Sequence, residues 1–292
     1  MKKNLLLALL QGLSLALGSA AGLSQAQEAA GASPVRLDHI IWLKADASRS
    51  NPTLNFIAKK LPQIRHETMS TNSIRSWQMI QRGEPACRPL TVRTAAREEE
   101  AYFVDTQLAA PAELLVRRDK LARVPRNSAD EVDLVLLLKK APLRGAIARG
   151  RSYGEYIDSV LAQQPRGPYL ADYATQGFGE RLQDMLARGR ADFWIDISGA
   201  LLHMQARDLP VEDFIALPIQ GATQPMLLGI ACPRTPWGLA ASRAIDQVLG
   251  TPEGAAHLQQ ASAGSFGPEA LKRLGPQIEQ FYQRRSKPQF SD

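Results

Sequence analysis

The stretch that decides the reading of this chain is CRPLTVRTAAREEEAYF, residues 87–103. It opens as an alternating run, with Leu90 and Val92 set against Thr91 and Arg93, and a period of two reads as a strand. It turns at Thr94, passes a short charged segment and ends on the aromatic pair Tyr102 and Phe103. A strand that delivers a threonine and an arginine at its carboxyl end suits an anionic ligand. Arg97 offers a planar five-donor fork that fits a carboxylate or phosphate. By itself, an arginine near a strand end also reads as a solvated surface residue. Glu98, Glu99 and Glu100 read as a solvated face.

Outward from this stretch, the amino terminus is of another kind. Lys2 and Lys3 precede a leucine- and alanine-rich run at 5–17, and Ser24 and Ala26 are small residues suited to a signal peptidase. Residues 1–26 therefore read as a secretory signal peptide, with an uncleaved anchor as the alternative. The apolar run is short for an anchor. The mature chain is expected in the periplasm as a monomer. The full chain's net charge of +6 with 45% hydrophobic residues suits an ordinary globular protein. The basic clusters Arg117-Arg118 and Arg284-Arg285 lack interleaved aromatics, so no nucleic-acid partner is expected.

The chain has two cysteines, Cys87 and Cys232. An oxidising compartment favours one disulfide between them over two buried thiols. His39, His66, His203 and His257 show no ligand spacing, so neither a metal nor another cofactor is expected.

Taken in order, residues 37–43 (LDHIIWL) predict a strand, and Asn51-Pro52 predicts a cap and helix start. Leu54, Ile57, Leu61 and Ile64 continue at helical spacing. Asn72 caps a second helix through Trp77 to Gly83, and the strand at 87–93 follows. Residues 112–116 predict another strand. Ser128 and Glu131 form a capping box ahead of a helix bearing Leu134, Leu137 and Leu138. Strands follow at 143–148, 169–173, 191–197, 214–219 and 226–232, with helices between them. These include a helix face of Phe178, Leu182, Met185 and Leu186, and a helix from Ser198 to about Arg207. From Trp237 onward the chain reads as three helices, with a frayed polar tail after Arg284. Alternating strands and helices imply an α/β fold with mostly parallel sheets, and the strand count fits two sheets better than one.

Three groups of residues carry candidate chemistry. Gly150-Arg151-Ser152-Tyr153-Gly154 fits G-x-S-x-G at a strand–turn–helix junction, the setting of a nucleophile elbow. The same turn reads equally as an anion site at a helix start, or as a plain capping box of Ser152 and Glu155. Trp42, Tyr153 and Trp194 stand at or just beyond strand carboxyl ends, where ligands bind in open α/β sheets; core packing is the other reading of the tryptophans. Asp196 shares a strand face with Trp194 and would either hold a ligand amine or cap the next helix.

With these residues in place the chain resembles the bacterial extracellular solute-binding proteins of family 3, the type II periplasmic binding proteins of polar amino acid uptake, as an exported branch of that group. Thr94-Ala-Ala-Arg97 and Phe103 match the family pattern T-x-x-R with phenylalanine six residues later. Arg151-Ser152-Tyr153-Gly154 falls at its second-lobe helix start, and Gly189-Arg190-Ala191-Asp192 matches its G-R-x-D. The resemblance implies a two-lobe clamp, each lobe a mostly parallel sheet flanked by helices. Lobe 1 would comprise residues 34–110 and 225–292, and lobe 2 residues 111–224. Arg97 would grip a ligand carboxylate with Thr94 beside it, and Ser152 would donate from the facing lobe; Tyr153, Trp42, Trp194 and Asp196 complete the expected ligand-binding set. The family's amine-binding aspartate falls at Ile197 here, one residue beyond Asp196, and one residue flips a strand face. The implied function is capture of a small anionic or zwitterionic solute for an inner-membrane transporter or sensor. The alternatives are a serine hydrolase using Ser152 and a dehydratase-like enzyme on the same fold.

Overall fold

The computed structural model describes residues 35–290 apart from 46, 49, 141, 165–168, 175–179 and 198–199. The expected signal peptide, the position of Phe178 and the helix start at Ser198 lie outside the described residues. In chain order the first elements are β1 (His39–Lys44), α1 (Pro52–Lys60), β2 (Arg65–Ser70), α2 (Ser73–Gln81), β3 (Ala86–Val92), α3 (Ala95–Glu98) and β4 (Ala101–Ala109). The middle holds β5 (Ala112–Arg117), α4 (Leu134–Lys140), β6 (Gly145–Ala148), α5 (Glu155–Gln163), β7 (Leu170–Tyr173), α6 (Glu180–Ala187), β8 (Phe193–Ile197), α7 (Ala200–Gln205) and β9 (Phe214–Pro218). The chain returns through β10 (Met226–Pro233) to α8 (Pro236–Leu249), α9 (Pro252–Ser262) and α10 (Pro268–Arg285). No described helix is long and apolar enough to cross a membrane.

The strands form two five-stranded sheets, ordered β2-β1-β3-β10-β4 and β7-β6-β8-β5-β9. In the first, β1, β2 and β3 run parallel, β10 runs against β3, and β4 runs against β10. In the second, β6, β7 and β8 run parallel, β5 runs against β8, and β9 runs against β5. The two sheets thus share one topology. In each, the single reversed strand is the one that has just crossed from the other sheet. The expected two-lobe α/β fold is present, with four strands of each sheet running one way.

Each sheet has apolar residues on both faces, because its helices cover both. In β8, Phe193 and Ile195 pack with Leu114, Ile147 and Ile157 on one face, while Trp194 packs with Leu182, Leu186 and Met204 on the other. In the first sheet Ile40 and Trp42 face Ile57, Ile245 and Leu258, and the adjacent Leu43 faces Met79 and Ile80. Alternation along the strand sends neighbours to opposite faces. Cys87 and Cys232 form the expected disulfide, joining the paired strands β3 and β10 across 145 positions.

Several local expectations are corrected. Strand β2 (RHETMS) was not foreseen: its residues are exposed or half-buried at the sheet edge, so it carries no apolar alternation. Strand β4 was read only as an aromatic pair, although Phe103, Val104 and Thr106 are buried in it. Helix α1 stops at Lys60, with Leu61 as its carboxyl cap. The Ser128–Glu131 box does not start α4. Asn127 instead accepts from the N–H groups of Ala129 and Glu131, and Asp133 caps the helix by accepting from Leu136. The tail after Arg284 is tied down, since the Asp246 carboxylate accepts from the backbone N–H of Gln289 and Phe290. Nor is the glutamate run merely solvated: Glu98 pairs with Arg93, and Glu100 accepts from Trp77 and Gln81.

Candidate functional site

The chain crosses between the sheets twice, at 110–111 and 219–225. Two loops face each other beside these crossings. One follows β3 and leads into α3; the other follows β6 and leads into α5.

The first loop turns at Thr94 as the sequence predicts, and the turn is also a helix cap. Thr94 has extended backbone and its Oγ1 accepts from the Arg97 N–H at 3.3 Å. One helical turn then carries the Arg97 guanidinium back towards the strand. There Nη1 donates to the Val92 carbonyl at 3.0 Å, and the guanidinium lies 5.0 Å from the centre of the Trp77 ring. No carboxylate forms an ion pair with Arg97 among the described residues. Burial lowers its pKa, against the attraction of Asp158 from the other lobe and of Glu100.

The second loop departs from the expected capping box. Gly154 takes the N-cap position with φ 96°, and no side chain caps α5 there. That φ lies where only glycine sits without strain. Ser152 turns instead to Asp158, donating its hydroxyl to one carboxylate oxygen while the Tyr153 N–H donates to the other at 2.8 Å. Glu155 reaches across to the first lobe and accepts from the Ala95 N–H at 2.9 Å. Gly150, at φ 74°, meets α2: a Cβ there would come within 3.0 Å of Ile74. The lobes are therefore in contact at this loop. Burial raises the Asp158 pKa, opposed by Ser152, by the Tyr153 N–H and by Arg97.

Arg151 pairs with Asp196, which is 3% exposed. Tyr153 is buried, with its phenol oxygen accepting from the Ala148 N–H at 2.8 Å. Burial pushes that phenol far above its ordinary range. The two tryptophans lie elsewhere. Trp42 is in the core of the first lobe, where its indole N–H donates to His66 Nδ1 at 3.2 Å over a stacked pair of rings. Trp194 is fully buried in the second, its indole N–H without a partner. Of the predicted set, the fold gathers Thr94, Arg97, Ser152, Tyr153 and Asp196 around the facing loops and places Trp42 and Trp194 in the cores.

A pocket of about 390 Å³ lies beside the crossings. It is lined from one lobe by Val92 and Met226, from the other by Glu155 and Tyr156, and by Pro111 and Pro225 at the crossings. Arg97 and Arg151 do not line it. Sequence reasoning missed Asp158, which joins the second loop to Arg97, and Arg88. Asp158 was visible as a carboxylate three residues after Glu155 on the first turn of a helix. The signal for Arg88 was a charged residue inside an otherwise apolar strand.

Two sheets of one topology, joined by two crossings, define the fold of the two-lobe periplasmic binding proteins. No family model matches the chain, and no curated protein matches it in sequence. Solved structures do. The arginine-, lysine-, histidine-binding protein ArtJ from Geobacillus stearothermophilus aligns with 82% of this chain and 99% of its own, at 13% identity and a TM-score of 0.57. The substrate-binding protein of an amino acid ABC transporter covers 78% and 98% at 13% identity, with a TM-score of 0.56. The ancestral amino acid-binding protein AncCDT-1, a precursor of cyclohexadienyl dehydratase, covers 79% and 96% at 15% identity, also with a TM-score of 0.56. At these identities the likeness is one of fold.

Proposed function

We propose that the chain is a periplasmic solute-binding protein that captures a small anionic or zwitterionic solute between its lobes, as a monomer serving an inner-membrane transporter or sensor. In this reading residues 1–26 direct export, residues 34–110 and 225–292 make one lobe, and residues 111–224 make the other. The observation that carries it is Arg97. Its guanidinium lies at the meeting of the two lobes, held by a carbonyl and an aromatic face, without an ion-pair partner among the described residues. A ligand carboxylate would supply that charge, and a charge-assisted bidentate pair in a water-poor cleft is strong. Ser152 and Thr94 flank it from opposite lobes, so the ligand would favour the closed form over the open one. The solved amino acid-binding proteins of the same fold support the reading.

A thermal-shift screen of amino acids and organic acids tests it. A ligand at about 100 times its Kd adds about 2.7 kcal/mol to stability, and Arg97→Ala is expected to abolish the shift. A ligand that stabilises wild type and Arg97→Ala equally would remove the carboxylate clasp. For the hydrolase alternative, Ser152 donates to the Asp158 carboxylate, and no histidine contacts it among the described residues.

A further inference from the structure

Arg88 stands in β3, next to the disulfide-bonded Cys87. Its Nη2 reaches Ser73 Oγ at 3.4 Å, at the outer limit of a hydrogen bond. Its Nη1 is sealed from solvent and has no partner, although the residue as a whole keeps some exposed surface. Burial lowers its pKa to about 9, and the charges that press it down further are Arg97 and Arg151, both of its own sign. These two cations come from opposite lobes, so the Arg88 guanidinium lies within reach of both facing loops. A buried cation without a counter-charge is costly. The nearby carboxylates are already engaged: Asp196 pairs with Arg151, and Asp158 is held by Ser152 and Tyr153.

We propose that the face between the lobes at Arg88, Arg97 and Arg151 takes a small dicarboxylate, one carboxylate on Arg97 and the other on Arg88 with Arg151 beside it. This rests on the solute-binding reading above and names its substrate class. Two separate carboxylates match two guanidinium forks and bring the negative charge that Arg88 and Arg97 lack, Arg151 being paired already with Asp196. An α-amino acid fits less well. Its ammonium would enter beside three cations, and the buried carboxylate on β8, Asp196, already has a guanidinium on it. Opening of the lobes about the two crossings would admit the ligand, and its charge would hold them closed.

The test is calorimetry and thermal shift on the exported chain with succinate, malate and 2-oxoglutarate, against glycine, alanine, glutamate and inorganic phosphate. At least one of the three dicarboxylates is expected to bind and to raise the melting temperature. Loss of a hydrogen-bonded charge pair weakens binding about tenfold to a hundredfold, and Arg88→Gln is expected to fall in that range. Without ligand, Arg88→Gln is expected to melt at or above the wild-type temperature, since it removes an uncompensated buried charge; a merely structural arginine would give the opposite sign. Should Arg88→Gln fail to fold, Arg88→Lys keeps the charge without the fork and is expected to weaken binding by a smaller factor. The inference is overturned if none of the three dicarboxylates binds, if phosphate alone binds, if glutamate binds more tightly than all three, or if the Arg88 variants bind as wild type does. Arg97-dependent binding of alanine or glycine without dicarboxylate binding would leave the solute-binding reading standing and remove only this one.

Discussion

Helices α1 and α5 hold the same place in two sheets of the same topology, each joining an inner parallel strand to the edge strand beside it. Their amino termini are finished in different ways. Helix α1 is complete in itself: Asn51 accepts from the Leu54 N–H, Pro52 follows, and Lys59 and Lys60 close the last turn. Helix α5 has glycine at its N-cap and no side-chain cap, and its first-turn carboxylates look outward. Asp158 holds the loop of Ser152 and Tyr153, and Glu155 binds the backbone of the opposite lobe. In α1 the local cap is satisfied within the helix; in α5 it is left open, and the first-turn carboxylates bond outside the helix. The lobes differ in fastening too. The disulfide lies in the first, as does Arg285, a fully buried cation paired with Asp246 at 2.8 Å. In the second, Arg144 and Asp192, each just ahead of a strand, form a pair whose arginine is half exposed.

The largest effect expected is therefore in the first lobe. Removing one partner of a buried pair costs about 3–5 kcal/mol, so Asp246→Ala should lose that much in urea denaturation and free the tail at Gln289 and Phe290. Asp192→Ala should cost about 1 kcal/mol or less, since its partner is largely solvated. Equal losses would erase the contrast between the lobes.

A smaller effect separates the two helix starts. Asn51→Ala is expected to cost about 1 kcal/mol with no change in solution shape. Glu155→Gln weakens a single charge-assisted bond, about 0.5–1.5 kcal/mol, yet should enlarge the radius of gyration in small-angle scattering as the lobes part. An unchanged radius would mean that Glu155 does not hold them.

The smallest effect is on proton linkage. The Asp158 pKa is raised in the fold, so the folded chain binds more protons there and its contribution falls as pH rises from the unfolded value through the folded one. The Asp192 pKa is lowered: burial pushes it up, but the hydrogen bonds from the Arg144 side chain and backbone outweigh this. Its contribution is present above the unfolded pKa and lost as pH falls through the folded one. Between about pH 6 and pH 3, Asp158→Asn should therefore steepen the net acid loss of stability and Asp192→Asn should flatten it. Urea melts across that range measure both slopes, and changes of slope from wild type that share one sign would contradict the assignment.

Much of the scaffold was legible because its signals are local. The caps at Asn51 and Asn72 satisfy backbone N–H groups within three residues, and each lies where the sequence places it. Helices α9 and α10 begin at Pro252 and Pro268 as the sequence places them, and α8 begins at Pro236, just ahead of the expected Trp237. Strand β2 was hidden because an edge strand needs no apolar face. Strand β4 was hidden because its strand partner among the described residues, β10, lies more than a hundred positions away. Ser128 and Glu131 form a sound capping motif, but Asn127 and Asp133 satisfy the same backbone groups first.

For the stretch at residues 87–103, the sequence by itself determined the strand, the turn at Thr94 and the arginine that follows it, while the capped helical turn came with the structure. It also held the chemistry of one disulfide, since two cysteines in an oxidising compartment have one way to pair. Only the tertiary structure decided which charges find partners. Ser152 and Glu155 read as a capping pair, but Asp158 of the same lobe takes Ser152, and Glu155 finds the Ala95 N–H only where the second lobe meets the first. Arg88 read as one basic residue among many until burial removed water from its Nη1 and set two further guanidinium groups nearby. Burial is a property of surfaces brought together, and no window of sequence contains both surfaces.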